Sequence, residues 1–296
     1  MPTSVGGVLR RRRNDARRHA DNFLTWSADR DDWAACLNFV DAHTLYVPTT
    51  DHNLFSKDKY RRSDDHVHSF PDAPVHVHNV AERLYDGCIR QVDAVVEHLV
   101  DALSRRGELK DTLVVVTADH GEAFCEPHEV TDERLTVHNG GFNEVHAHVP
   151  LLVSEPGQTE GGRVDHLASL VSFADRAREV VAGDEGAEQL VEDTMAPFAV
   201  ESLVSEYGYE SNTSMSPPGD AIVIGYEQRG DELMKYVRDR GTDRTFRVCE
   251  GTLCPTERPH RLDDLLADLD GESLRAGEEM SMTDDTRSRL EDLGCL

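Results

Sequence analysis

Acidic and imidazole side chains stand together at the end of an apolar run. Leu113 to Thr117 (LVVVT) suits a buried strand and leads into Ala118-Asp119-His120-Gly121-Glu122. Strand ends of this kind deliver polar groups to the rim of a sheet, where sites form in α/β proteins. Asp119 and His120 there can offer a carboxylate oxygen and an imidazole nitrogen to one divalent cation, and Gly121 permits a sharp backbone turn. The alternative is that Asp119 caps a helix and His120 is exposed.

Two further polar groups follow neighbouring apolar stretches. Trp33 to Val40 (WAACLNFV) is predicted to be a buried strand, and it ends at Asp41-Ala42-His43. His138 lies in the Gly-containing run VHNGG. Asp41 is interpreted either as a second metal ligand or as a cap at the end of the strand. Glu122 is expected at the surface.

Three histidine pairs suggest a different metal site. Histidines two residues apart on an extended segment point the same way and can chelate zinc or nickel. The pairs are His66 with His68, His76 with His78, and His146 with His148. We favour the simpler interpretation that they are solvated loop histidines, together with one pair at the entry to a strand.

The elements that must position these residues follow from hydrophobic periodicity. Helices are predicted at Asn14 to Ala28 and Val77 to Arg106, where apolar residues recur every three or four positions, with Gly107 as the C-terminal cap of the second. Val149 to Val153 (VPLLV) is a further buried strand. Helices alternating with buried strands predict an α/β layered sheet with parallel strands and helices on both faces.

The chain is predicted to contain three parts. Residues 1–13 are a disordered basic arm, 14–185 an α/β domain, and 186–296 a C-terminal subdomain. In the subdomain, short apolar stretches separated by Gly and Asp turns predict a small antiparallel sheet, and a terminal helix is predicted at Asp284 to Leu293. The stretches are Ala221 to Tyr226, Glu232 to Arg238 and Thr245 to Cys249.

The net charge of −26 restricts the possible partners. Only four of the 31 basic residues are lysines, a composition that predicts adaptation to concentrated salt, where the Debye length of about 3 Å screens self-repulsion. Such a field disfavours nucleic acid and anionic membranes. No run of about 18 apolar residues and no signal peptide is visible. Six cysteines without a CxxC pair indicate a reducing compartment, and we expect the cytoplasm.

Several motifs, in order, resemble the sulfatase family of the alkaline phosphatase superfamily. DTLVVVTADHGEAF resembles its C-terminal metal-site strand, and NFVDAHTLYVP its strand that ends in Asp-Pro-His-x-Pro-Tyr. HNGGFNEVHAHVPLLV resembles its His-Gly, Tyr-Glu-Glu and Val-Pro-Leu segment. The long helix before Thr112, the Lys-Tyr strand in ELMKYVR and the ending RLEDLGCL also match. Together they imply an alkaline phosphatase-like α/β fold.

The resemblance also implies roles for four residues. Asp119 and His120 would bind the divalent cation, normally calcium or magnesium, with manganese or zinc as further candidates. His43 would contact the sulfate ester or its leaving group, and His138 would touch the anion. Because negative charge develops on the ester oxygens, a cation and imidazole donors aimed there would lower the barrier. The implied partner is a small-molecule sulfate or phosphate ester, and the oligomeric state stays open.

The sequence departs from the family pattern at several positions. Leu45 replaces a proline, Asn143 and Val145 fall within the Tyr-Glu-Glu stretch, and His148 replaces an arginine. More importantly, the Cys/Ser-x-Pro-x-Arg motif that supplies the formylglycine nucleophile is absent, so the chain is expected to lack the N-terminal strands and to need an upstream segment. Three hypotheses remain: a metal-dependent hydrolase of sulfate monoesters, a phosphodiesterase or phosphonate hydrolase, or a non-catalytic remnant that binds metal or anion.

Overall fold

The computed structural model of the chain is a mixed α/β structure. It describes residues 16–43, 46–54, 75–128, 134–138, 143–170, 173–182, 202–208, 221–239, 241–249 and 252–268. Two compact units divide it, one up to residue 200 together with 249–253, the other comprising 201–248 and the chain from 254. The predicted arm at 1–13 and the predicted helix at 284–293 lie outside the described residues.

The first unit contains both helices and strands, whereas strands dominate the second. The helices are α1 (Ala16–Ser27), α2 (Val75–Arg106), α3 (Glu144–Ala147), α4 (Phe173–Ala182) and α5 (Leu262–Asp268). The strands are β1 (Val114–Thr117), β2 (Ala123–Pro127), β3 (Arg134–Val137), β4 (Leu151–Ser154), β5 (Ser202–Gly208), β6 (Ala221–Arg229), β7 (Glu232–Asp239), β8 (Thr242–Cys249) and β9 (Thr252–Pro255).

The two predicted N-terminal helices are confirmed and pack on each other. Ala16 and Ala20 of α1 pack against Val95 of α2. Further along both helices, Phe23 and Leu24 of α1 pack against Ala102 of α2. These residues recur at three- and four-residue spacing, so each helix presents one apolar stripe to the other. The predicted stripes therefore form the local core.

The predicted cap at Gly107 is confirmed in detail. Gly107 has φ +75°, its N–H donates to the carbonyl of Ser104, and the N–H of Glu108 donates to the carbonyl of Leu103, each at 3.0 Å. This is the Schellman arrangement, which satisfies carbonyls at the end of a helix and favours glycine at the left-handed position. It stops α2 and turns the chain towards β1.

The predicted strand at 33–40 is wrong. Residues 33–39 form neither helix nor strand, and a short 3₁₀ helix covers Val40–Ala42. Trp33, Leu37 and Phe39 pack instead against the α1–α2 pair. The apolar residues of this run do pack against the core, as predicted, but the run is not a strand. The two helices bury its side chains, so it needs no pairing with a neighbouring strand.

The predicted strands at 113–117 and 149–153 are confirmed as β1 and β4, but they are antiparallel rather than parallel. Val114 pairs with Ser154 and Thr117 with Leu151 in a two-stranded sheet. The connection explains the direction: it consists of the β2–β3 hairpin and short α3, which return the chain to the strand end it left. A parallel pair needs a crossover to the opposite end.

The predicted C-terminal antiparallel sheet is confirmed. It has five strands in the order β5-β6-β7-β8-β9, and β5 to β8 pair antiparallel with their neighbours. Leu262 and Leu265 of α5 cover Met234 and Tyr236 on one face. Within the described ranges, no helix is long and apolar enough to cross a membrane.

Candidate active site

The four residues singled out from the sequence lie close together. Asp119 and His120 directly follow β1, His43 follows the 3₁₀ turn, and His138 follows β3. The ring of His138 lies 4.6 Å from that of His120 and 5.6 Å from that of His43, measured between centroids. Asp119 Oδ1 is 3.8 Å from His120 Nε2. The site thus gathers three imidazoles and one carboxylate from the ends of three elements.

Gly121 fixes the position of this group against α3. Its backbone N–H donates to the carbonyl of His146 at 2.8 Å, and a Cβ built on Gly121 would lie only 2.0 Å from the carbonyl oxygen of Val145. The expected role of this glycine, a sharp turn, is therefore not its main one, because its φ lies outside the positive range. Close approach of two backbones is what requires glycine here.

Glu122 lies inside the protein, so its expected surface position is wrong. Only 5% of its side chain is exposed. Its Oε2 accepts a hydrogen bond from the Tyr46 hydroxyl at 2.8 Å and lies 3.4 Å from His138 Nδ1, and its Oε1 accepts from the Ala123 N–H at 3.3 Å. Buried carboxylates are tolerated when they are hydrogen-bonded in this way.

The Glu122–His138 pair shifts both pKa values towards the charged forms. Burial disfavours ionised Glu122, but hydrogen bonds from His138 and Tyr46 outweigh it and lower the pKa of the carboxyl. The hydrogen bond to Glu122 raises the pKa of His138 against the opposing effect of burial, and the charges of Glu122 and Asp119 add to the rise. His138 therefore holds a proton more strongly than an ordinary histidine.

Aromatic residues form the inner wall behind Glu122. Tyr46, Tyr85 and Phe124 contact one another with ring centroids 5.2–5.9 Å apart, and Tyr46 packs with Leu84 of α2. Burial, followed by the neighbouring charge of Glu122, raises the pKa of both tyrosines, so both hydroxyls stay protonated. Tyr46 can therefore act as a permanent donor to Glu122.

Asp41 has a structural role in the described part of the chain. It is buried, and its carboxylate accepts hydrogen bonds from the backbone N–H of Ala16 at 3.3 Å and from Gln91 Nε2 at 2.5 Å. It thereby stabilises the first turn of α1 from a position 25 residues away. The predicted cap at a strand end is therefore not what Asp41 forms: residues 33–39 before it form no strand, and its carboxylate caps the start of helix α1.

Asp119 and His120 offer donors that suit a divalent cation. His120 Nδ1 lies 2.7 Å from the carbonyl oxygen of Gly121, which can only accept, so Nδ1 carries the proton and Nε2 keeps its lone pair. The Asp119 side chain is 85% exposed. These two residues fit as part of a coordination shell, but calcium takes six to eight oxygen ligands. Among the described residues, no cluster of three or more His, Cys, Asp or Glu could hold a metal.

The histidine pairs do not form a separate chelate where they are described. His146 is buried in α3, whereas His148 is exposed beyond its end. His76 and His78 lie on helix α2 and not on the extended segment that the predicted chelate requires. His66 and His68 lie outside the described residues.

Sequence reasoning missed the second layer of the site, Glu122 and Tyr46. The sequence gives one weak signal for Glu122, which is that it directly precedes the apolar pair Ala123-Phe124. In the structure Ala123 is buried at the start of β2. Nothing in the spacing connects Tyr46 to it across 76 residues.

Comparison with known proteins identifies the family. The sulfatase family model matches residues 10–180, more than half of the chain. The chain belongs to the sulfatase family. It is 27% identical to human arylsulfatase K over 131 residues and 27% identical to choline-sulfatase of Rhizobium meliloti (strain 1021) over 192 residues, 44% and 64% of this chain. The resemblance stated from the motifs is thereby confirmed.

The sulfatase-family chain is shorter than these relatives. The matches span 23% of arylsulfatase K and 31% of choline-sulfatase, so the chain spans less than a third of the length of the curated relatives it matches. Its fold is similar to that of the phosphonate monoester hydrolase of Agrobacterium radiobacter, with a TM-score of 0.56 and 18% identity over 95% of this chain and 61% of that one. This likeness confirms the predicted alkaline phosphatase-like α/β class.

Proposed function

We propose that this sulfatase-family chain forms the cation- and anion-binding part of an active site that hydrolyses sulfate monoesters. The observation that carries the proposal is the convergence of His43, His120 and His138 beside Asp119 in a member of this family. A sulfate ester presents negatively charged oxygens, and cationic imidazoles suit them as donors.

His138 and His43 contact the ester in this proposal. His138 carries a raised pKa and so supplies a cationic donor to a sulfate oxygen. His43, whose ring lies 5.6 Å from that of His138, is placed to donate to a second oxygen or to the leaving group.

Asp119 and His120 hold a divalent cation in this proposal, with calcium or magnesium as the first candidates. Such a cation would neutralise the charge that develops on the ester oxygens. His120 Nε2 and the Asp119 carboxylate are the two protein donors, because His120 Nδ1 is engaged by the carbonyl of Gly121. Two donors bind weakly, so the remaining ligands would come from substrate, water or a further segment.

Turnover needs a nucleophile, and the motif that supplies the nucleophile in sulfatases does not occur in this sequence. No Cys/Ser-x-Pro-x-Arg motif occurs in the 296 residues. We therefore propose that hydrolysis requires a segment bearing that motif, and that the chain by itself binds cation and anion with little turnover.

The test compares cation binding by two matched double variants. Calcium and magnesium binding is measured by titration calorimetry in about 2 M KCl, a concentration that screens non-specific attraction by the acidic surface. The Asp119→Ala, His120→Ala variant should lose the bound cation. Asp165 and His166 provide the control, because this pair is also adjacent and His166 Nδ1 likewise faces the following carbonyl, at 3.2 Å. Its double alanine variant removes the same charge and should bind as the wild type does.

Equal cation binding by the wild type and the Asp119→Ala, His120→Ala variant would overturn the proposed cation site. Hydrolysis is tested with an aryl sulfate, a phosphate diester and a phosphonate monoester. Preference for a phosphorus ester would replace the sulfatase proposal by the phosphodiesterase or phosphonate hydrolase alternative. Binding of cation or sulfate without hydrolysis of any of these esters, even after a segment bearing the Cys/Ser-x-Pro-x-Arg motif is added, would favour the non-catalytic remnant.

A further inference from the structure

The Glu122 carboxylate links the aromatic core to the imidazole group of the site. Its Oε2 is shared between the Tyr46 hydroxyl at 2.8 Å and His138 Nδ1 at 3.4 Å. Tyr46 is itself packed in the cluster with Ala81, Leu84 and Cys88. A rigid core group thus fixes the carboxylate, and the carboxylate reaches the ring that faces His43 and His120.

We propose that Glu122 is a positioning residue that fixes the ring orientation and the tautomer of His138, with Tyr46 holding Glu122 in place. The expected effect on anion binding rests on the proposed function, whereas the contact between Glu122 and His138 does not depend on that function. A carboxylate oxygen can only accept a hydrogen bond, so His138 Nδ1 carries the proton of this contact in both the neutral and the protonated ring. Nε2 of His138 is then the nitrogen presented to the site, and it donates to an anion when the ring is protonated.

The arrangement has a functional consequence for the three-imidazole group. A histidine without such a partner samples several ring orientations and both tautomers. Because apparent affinity scales with the fraction of molecules in the competent state, a freely rotating His138 would weaken the binding of an anion in proportion. Second-layer carboxylates play the corresponding role for histidines that bind metals, where they fix tautomer and orientation.

Burial makes Glu122 suited to this role. With 5% of its side chain exposed and the backbone N–H of Ala123 on Oε1, the carboxylate has few alternative positions. The docking of Gly121 on α3 fixes the backbone one residue earlier. The carboxylate is therefore held from both ends of its side chain.

The test uses isosteric variants of Glu122 and a tautomer readout. The tautomer of His138 is read from long-range ¹H–¹⁵N spectra of histidine-labelled full chain, at an alkaline pH at which the ¹⁵N shifts show its ring to be neutral. The His138→Gln variant assigns its signal. We expect Nδ1–H in the wild type, in Glu122→Gln, which keeps an acceptor oxygen, and in Tyr46→Phe. In the Glu122→Leu, Tyr46→Phe double variant, which removes both buried polar partners together, the Nε2–H form should dominate.

Sulfate binding tests the consequence separately. Inorganic sulfate should bind the Glu122→Leu, Tyr46→Phe variant about tenfold more weakly than the wild type, and Glu122→Gln should recover much of the loss. An unchanged Nδ1–H tautomer in the Glu122→Leu, Tyr46→Phe variant would overturn the positioning role, whatever the affinity. If the tautomer changes as expected but the wild type binds no sulfate, the positioning role stands and the proposed function fails.

If the Glu122→Leu, Tyr46→Phe variant does not fold, Glu122→Asp provides a second test. This variant keeps the charge but shortens the side chain by one methylene, which draws the carboxylate away from His138 Nδ1. Circular dichroism checks the fold of each protein. Loss of the Nδ1–H signal in folded Glu122→Asp supports the inference, and its retention contradicts it.

Discussion

The backbone of Gly121 lies directly against the carbonyl of Val145, with no space for even a methyl group between them. A Cβ on Gly121 would stand 2.0 Å from that oxygen, and the N–H of Gly121 donates to the next carbonyl, that of His146. These two contacts hold the Asp119-His120 loop against α3, one residue before the buried Glu122 side chain.

Gly121→Ala is therefore expected to be strongly destabilising. The added methyl meets backbone rather than a flexible side chain, so it forces two segments apart and costs about 3 kcal/mol of unfolding free energy, the upper end for overpacking. Urea unfolding measures the loss. Gly161→Ala is the control, because a Cβ there meets nothing within 4 Å, and its unfolding free energy should stay close to the wild-type value.

Cys125 adopts a backbone conformation that favours glycine. Its φ is +87°, and it lies where the β2–β3 pairing shifts register between Phe124 and Pro127. Cys125→Gly should raise the unfolding free energy by about 1 kcal/mol, because the relief of strain exceeds the entropic cost of glycine. The measurement is the urea midpoint at constant m-value. The control is Cys36→Gly, because Cys36 is exposed and does not have a positive φ, and this change should lower the unfolding free energy. Equal effects of the two substitutions would contradict the argument.

The sequence predicted the elements best where periodicity and a cap agreed. Helix α2 ends at Arg106 before Gly107 as predicted, and strands β6, β7 and β8 of the C-terminal sheet lie where short apolar stretches and turns predicted them. The run from Trp33 misled because a short apolar stretch packs equally well against helices or within a sheet. Strand direction was missed because the β2–β3 hairpin was not recognised from the sequence.

The outer layer of the site was predictable and its inner layer was not. Asp119, His120, His43 and His138 stand at element ends in recognisable motifs, and the structure brings their side chains together. Glu122 looked like an exposed residue because burial of a carboxylate depends on partners supplied by distant parts of the chain. Tyr46 is such a partner, and only the packing of the aromatic cluster around Tyr85 reveals it.

Glu155 and Arg176 form a buried ion pair that connects the end of β4 to α4. Arg176 Nε and Nη2 donate to the two carboxylate oxygens at 3.0 and 2.7 Å, and the side chains are 3% and 10% exposed for Arg176 and Glu155. Glu155→Ala should cost about 3–5 kcal/mol, because it leaves a buried guanidinium without this carboxylate. Denaturant unfolding measures it.

An exposed ion pair, Arg163 with Asp165, is the matched control for the buried Glu155–Arg176 pair. Arg163 and Asp165 also form an ion pair, but both side chains are largely exposed. Asp165→Ala should change the unfolding free energy by less than about 1 kcal/mol. A similar loss in Glu155→Ala and Asp165→Ala would show that burial does not set the strength of the Glu155–Arg176 contact.

Arg238 makes the stability of the C-terminal unit depend on acid pH. It donates to Asp243 at 2.8 Å and to Asp263 at 2.7 Å, and these hydrogen bonds lower the pKa of both carboxyls. A carboxyl whose folded pKa is depressed adds stability above its unfolded pKa of about 3.9, and that stability is lost as the pH falls through the folded value. The unfolding free energy of the wild type should therefore fall between about pH 5 and pH 2. Asp243→Asn should flatten part of this slope and Arg238→Gln more of it, because Arg238 serves both carboxyls. Thermal melts at constant salt provide the measurement, and parallel slopes in all three proteins would refute the assignment.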